Sequence, residues 1–406
     1  MQKIDGGVTA PKGFTAAGVY AGLKKKRNDM ALILSEVPCD AAGVFTKNIV
    51  KAAPVKWDRE LVGMNAGCQA VVINSGVANA CTGTEGYGYC RETAEVAGKL
   101  FDLRPEQVLV ASTGVIGRQL PMDKIKNGIA LAKDALSDTR EAAALAAGAI
   151  MTTDTKSKEV AYQTVVDGKT ITVAGMCKGS GMIHPDMCTM LCFVTTDCAI
   201  LHEMLQKALS EDVKDTFNMI SVDGDMSTND TVLVMANGLA ENEKIVSEGA
   251  DYDAFYEALH EVMKGLSKKI AGDGEGCTCL FEVTVDHASS KEQAVTLSKS
   301  VVCSNLTKAA IFGHDANWGR ILAAMGYSGA MFDPDKTDIY FRDGSRELKI
   351  VEDGVATDYS EEEATSILSS PEVTCYVDIK EGNETATAWG CDLTLDYVRI
   401  NADYRS

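Results

Sequence analysis

The sequence predicts an α+β fold, a sandwich of paired strands and packed helices. Three observations carry that expectation. Short β-branched or continuously apolar runs alternate with amphipathic stretches along the 406 residues. The runs bunch in pairs, which suits a sandwich better than a doubly wound parallel sheet. Asp167 and Gly168 separate two of them and supply the positive φ of a tight hairpin turn.

In chain order, strands are expected at residues 30–34, 70–74, 108–112, 159–166, 170–174, 192–196, 231–236, 280–286 and 374–379. Helices are expected at 89–101, 122–136, 141–150, 202–217, 252–270 and 291–308. There is no repeat and no low-complexity linker. A chain of this length exceeds the size at which one core keeps growing, so two or more domains are expected. Residues 272–279, glycine-rich and acidic, are the best candidate for a hinge.

Composition excludes several classes. Hydrophobic residues make up 46% of the chain and no run approaches the ~20 apolar residues of a membrane span. The first residues hold no export signal, so a cytoplasmic protein is expected. A net charge of −19 argues against nucleic acid, because Lys24-Lys25-Lys26-Arg27 is only one short basic cluster. Thirteen cysteines include no Cys-x-x-Cys pair, and many sit in apolar runs, so free thiols are expected. His184, Cys188 and Cys192 have helical spacing, but Gly181 and Pro185 oppose a helix there, and no metal is expected.

The most informative stretch is Lys178-Gly179-Ser180-Gly181-Met182, followed by Ile183, His184, Pro185, Asp186, Met187, Cys188, Thr189, Met190 and Leu191. A loop of Gly, Ser and Pro, flexible by composition, ends at a threonine that opens an apolar strand. By itself this is a turn entering a strand. A threonine hydroxyl becomes a good nucleophile when the chain is cut before it, because its own freed α-amine is then the base. That amine titrates near ~7.7–8.0 in model peptides, so part of it is neutral at cytoplasmic pH.

The run resembles the self-cleavage site of the ornithine acetyltransferase family, whose members carry such a Lys-Gly loop eleven residues before the nucleophile. Lys178 and Thr189 keep that spacing. The resemblance extends from Gly6-Gly7-Val8-Thr9-Ala10-Pro11 to Asn401-Ala402-Asp403-Tyr404. It implies a self-cleaving, N-terminal-nucleophile-type α/β sandwich of the ornithine acetyltransferase and β-aminopeptidase kind, with a smaller C-terminal α/β domain. The α-chain would span 1–188, with 189–276 completing the sandwich and 277–406 forming the second domain. The implied reaction moves acetyl from N2-acetyl-L-ornithine to L-glutamate through acetyl-Thr189, in arginine biosynthesis, after cleavage between Cys188 and Thr189. Two αβ units would form a heterotetramer. No cofactor is expected, although acetyl-CoA is a further candidate donor.

Site residues follow from the same resemblance. Thr113 and Gly114 match the pair that forms the oxyanion hole; alone they are an ordinary strand-to-helix turn. Thr152, Lys178, Thr189, Glu275, Asn401 and Ser406 match the substrate contacts. Glu275, in Gly-Glu-Gly, suits an ammonium group, and Lys178 a carboxylate. Asp223-Gly224-Asp225 through Asp230 imitates a calcium loop but has Thr228 at its sixth position and Val234 at its twelfth. No Walker A or Gly-x-Ser-x-Gly sequence occurs. Val77, Met226 and Ala316 depart from the family pattern, as do His184 and Cys188 beside the cleavage point. The rival readings are a β-aminopeptidase on the related scaffold and a non-catalytic binding protein.

Overall fold

The structure, a computed structural model, describes residues 1–184 and 190–403. It holds two compact units. The first contains Met1–Gly179, residues 190–217 and Asp225–Leu266; the second contains Ser180–His184, Asn218–Gly224 and residues 267–403.

The first unit is organised by one long strand, Met30–Phe45. Its first half lies antiparallel to Phe14–Val19 on one side and Cys68–Val77 on the other. The register shifts between Leu34 and Cys39, after which Asp40 to Phe45 pair with Thr231–Ala236. From there the ladder continues through Leu191–Thr196, Lys169–Lys178 and Lys158–Val166 to Gln2–Ile4. Val108–Val115 closes the other end, parallel to Cys68–Val77. Only residues 30–34 were expected as strand. Glu36, Pro38 and Asp40 interrupt the apolar pattern, and Pro38 falls within the register shift, where a missing ladder N–H costs least.

The expected hairpin forms. Val166 pairs with Lys169, and Asp167 and Gly168 take φ of 48° and 68°. The helices Ala53–Met64, Gly83–Phe101 and Met122–Ala135 bury their apolar faces in one core with the strands around Met30–Phe45. Ala53–Met64 was not expected; Pro54 sits in its first turn, where the absent N–H has no helical partner to lose. Arg140–Ala149 is capped by Thr139, which accepts from the Ala142 N–H, and buries five alanines: Ala142, Ala143, Ala146, Ala147 and Ala149.

The second unit is a six-stranded sheet ordered Val355–Ala356, Glu347–Glu352, Asp338–Arg342, Glu372–Asp378, Leu280–Ala288, Glu384–Cys391. Four of these strands, at 338–342, 347–352, 355–356 and 384–391, were not expected, because they are short or their apolar pattern is interrupted by polar and charged residues. The helix expected over 291–308 is two, Lys291–Cys303 and Asn305–Phe312. Ser304 leaves helical geometry (ψ 113°), ends the first and caps the second by accepting from the Thr307 N–H. The helix expected over 202–217 stops at Asp212, a buried carboxylate bonded by His260 and Thr216. Every cysteine among the described residues is a free thiol. Among those residues, no helix is long and apolar enough to cross a membrane.

Candidate active site

In the first unit the relevant groups sit where Val108–Val115 runs out. Its pairing with Cys68–Val77 becomes irregular at Gly76 and Val77, opposite Thr113 and Gly114. Gly114 has φ 130°, and a Cβ there would stand 2.3 Å from the Gly76 carbonyl carbon, so only glycine fits. Side chains hold this crossing from below. Ser112 Oγ donates to Asn74 Oδ1 at 2.6 Å, and Asn74 Nδ2 donates to the Val77 carbonyl at 2.9 Å. Asn229 Nδ2 donates to the carbonyls of Ala78 (2.6 Å) and Ser112 (2.8 Å). All three side chains are buried, while Thr113 and Gly114 are partly exposed. The arrangement presents a half-exposed backbone turn on a hydrogen-bonded support, the kind of fixed backbone that preorganised N–H donors need.

Thr152 and Lys178 are brought together by Asp154. Its carboxylate accepts from the Thr152 N–H at 3.0 Å, from the Gly179 N–H at 2.7 Å and from Lys158 Nζ at 2.7 Å. Burial pushes the Asp154 carboxyl up, but the Lys178 and Lys158 charges and these bonds outweigh it and hold it well below the usual carboxylate range. Lys178 is 8% exposed. Asp154 was not singled out from the sequence; nothing in Thr-Thr-Asp-Thr distinguishes it from a turn residue.

Lys24, read only as part of a basic cluster, reaches the same turn. Its ammonium donates to the carbonyls of Met151 (2.8 Å) and Ala149 (3.3 Å), and Ser75 Oγ donates to Ala149 as well (2.6 Å). Asp230, inside the false calcium loop, is fully buried and neither carboxylate oxygen has a well-aligned hydrogen bond. Burial pushes its carboxyl far up, and the nearby Ser227 and Thr46 hydroxyls, Met190 N–H and Lys178 charge offset only part of that.

The second unit pins the Gly-Ser loop that its composition made look flexible. Asp223 accepts from the N–H groups of Met182 (2.6 Å) and Ile183 (2.9 Å). Ser180 Oγ donates to the Asp273 carbonyl, and the Glu275 N–H donates to the Ser180 carbonyl, both at 2.8 Å. Glu275 is 6% exposed, and its carboxylate accepts from Asn401 Nδ2 at 2.8 Å. It packs on Gly181, where a Cβ would come within 2.4 Å of the carboxylate. Of the candidate substrate contacts, Glu275 and Asn401 are thus joined directly. Cys188, Thr189 and Ser406 lie outside the described residues.

A family model described as the ArgJ family matches residues 15–406. This chain belongs to the ArgJ family. It is similar to the arginine biosynthesis bifunctional protein ArgJ of Thermotoga neapolitana, at 50% identity over 98% of this chain and 99% of that one. The ArgJ protein of Caldanaerobacter subterraneus subsp. tengcongensis is 51% identical over the full length of both. A crystal structure of ArgJ from Bacillus halodurans matches 52% of this chain and 97% of its own at 50% identity, with a TM-score of 0.50. As an ArgJ protein, the chain is an acyltransferase of arginine biosynthesis.

Proposed function

We propose that the chain transfers acetyl from N2-acetyl-L-ornithine to L-glutamate through Thr189. In the precursor, Thr189 Oγ attacks the Cys188 carbonyl carbon; the peptide C–N bond breaks, freeing the Thr189 amine and leaving an ester. Water hydrolyses the ester and yields residues 1–188 and 189–406 as separate chains. The mature hydroxyl then attacks the acetyl carbonyl, its proton passing to the α-amine and on to the departing amine of ornithine. Glutamate's amine attacks the acetyl ester and completes the cycle.

Thr113 and Gly114 receive the oxyanion at each step. Lys178 and Thr152 take the substrate carboxylate, and Glu275, Asn401 and Ser406 take its ammonium end. Acetyl-CoA serves as a second donor substrate in the bifunctional version of this reading; no resident cofactor or metal takes part. Two αβ units assemble as a heterotetramer in the cytoplasm. The observation that carries the reading is the Thr113-Gly114 turn, where a glycine that tolerates no Cβ leaves half-exposed backbone on a support of buried side-chain hydrogen bonds.

Intact masses test it. The wild type is expected as two chains and Thr189→Ala as one chain of 43.3 kDa without activity. A Thr189→Ala protein that still splits between 188 and 189 overturns the mechanism. Labelled ornithine should exchange into acetylornithine without glutamate, since the acetyl-enzyme forms alone; hydrolysis without exchange would instead indicate the β-aminopeptidase.

A further inference from the structure

We infer that Lys24 is a further residue of the substrate-carboxylate subsite, one that positions Thr152 and adds a second cation to Lys178. The inference rests on the reading of Thr152 and Lys178 given above. Three observations place it there. The Lys24 ammonium holds the Met151 carbonyl, one residue before Thr152, and the Ala149 carbonyl at the end of Arg140–Ala149. Its stem passes the oxyanion crossing, since a Cβ on Gly76 would stand 3.2 Å from Lys24 Cγ. Of its three N–H donors, two are taken by carbonyls, and the third has no hydrogen-bond partner among the described residues.

The surrounding charges leave that third donor for an anion. Asp154, the carboxylate in the turn ahead, is already engaged by Lys158, the Thr152 N–H and the Gly179 N–H. Asp29 accepts from the backbone N–H groups of Ala21 and Lys24. Arg27 on the same segment and Lys178 opposite are like charges, and Lys124 is occupied by the Gly22 carbonyl. Burial, with Arg27 and Lys178, brings the Lys24 ammonium down to about 8 against the pull of Asp29 and Asp154. A bound carboxylate relieves that cost, and the ammonium is charged at neutral pH.

The test is steady-state kinetics of cleaved wild-type, Lys24→Met and Lys24→Arg enzymes with acetylornithine between pH 6 and 10. Lys24→Met should raise KM ~10-fold or more at neutral pH while kcat changes less than ~5-fold, because a binding contact common to ground and transition states is lost. The wild-type KM should rise above pH ~8 as the ammonium is lost, and Lys24→Arg, charged to beyond pH ~12, should remove that rise. A residue that only caps the helix would lower the melting temperature of Lys24→Met and leave the pH profile of Lys24→Arg like the wild type; that result, or a KM within twofold of wild type for Lys24→Met, overturns the inference. A wild type that neither cleaves nor transfers acetyl overturns the underlying reading instead.

Discussion

The Thr113-Gly114 turn and the Glu275 loop are held in place by different physical means. The turn acts through backbone. Its shape is imposed by a register break and by three buried side chains: Asn74 and Asn229 hold backbone carbonyls at the crossing, and Ser112 Oγ fixes the Asn74 amide. The loop acts through a side chain. Glu275 keeps its place by one bond from Asn401, its own N–H on Ser180 and the bare face of Gly181. A backbone device of this kind cannot accept a Cβ but is indifferent to the identity of Thr113's side chain. A side-chain device accepts small backbone changes but depends on one charge.

Gly114→Ala should break the contrast most sharply. The clash is with the Gly76 carbonyl carbon, which has no flexible end to move, and a displaced oxyanion donor costs ~3–4 kcal/mol, about 10³-fold in kcat. Intact mass and kcat of the variant, against a Thr113→Val control that keeps the backbone, would check this; near-normal turnover in Gly114→Ala would show that the turn is not the oxyanion hole.

The next effect is on stability. Asp154→Asn leaves the buried Lys158 without its counter-charge and should cost ~3 kcal/mol at pH 7 by urea unfolding. Because the folded Asp154 carboxyl titrates below its unfolded value, its contribution is present above about pH 4 and is lost as pH falls through the lower folded value. The gap between wild type and variant should therefore close in strong acid; a gap unchanged at pH 3 would mean that the ion pair is not its source.

Glu275→Gln should have the smallest effect of the three. The amide keeps the shape and a bond with Asn401 but loses the charge, which in a mostly desolvated site is worth ~2 kcal/mol, or about 30-fold in kcat/KM. The loss should fall on acetylornithine turnover with cleavage intact. Wild-type kinetics would leave Glu275 as a buried loop acid with a purely structural bond.

Every strand expected from the sequence is present, because period-two and continuous apolar runs are local signals that burial reinforces. The missed strands were hidden for different local reasons. Charged residues break the apolar pattern of Glu347–Glu352, whereas Thr385, Thr387 and Gly390 dilute it in Glu384–Cys391. Ser304 breaks a helix that hydropathy alone would run through, since its capping bond to Thr307 is a property of geometry. The Thr113-Gly114 turn, Thr152, Lys178, Glu275 and Asn401 were legible as motif positions. Asp154, Lys24 and Asn229 were not, for they carry no spacing signature.

Local chemistry is what the sequence determined by itself: the apolar runs, the Asp167-Gly168 turn and the ordered motifs that place the chain in its family. Tertiary structure decided which charges and amides meet. Lys24 finds Met151 across 127 positions, and Asn229 finds Ala78 across 151. Contacts at that separation depend on the cost of burying a polar group unpaired, and that cost exists only once a fold has removed the water.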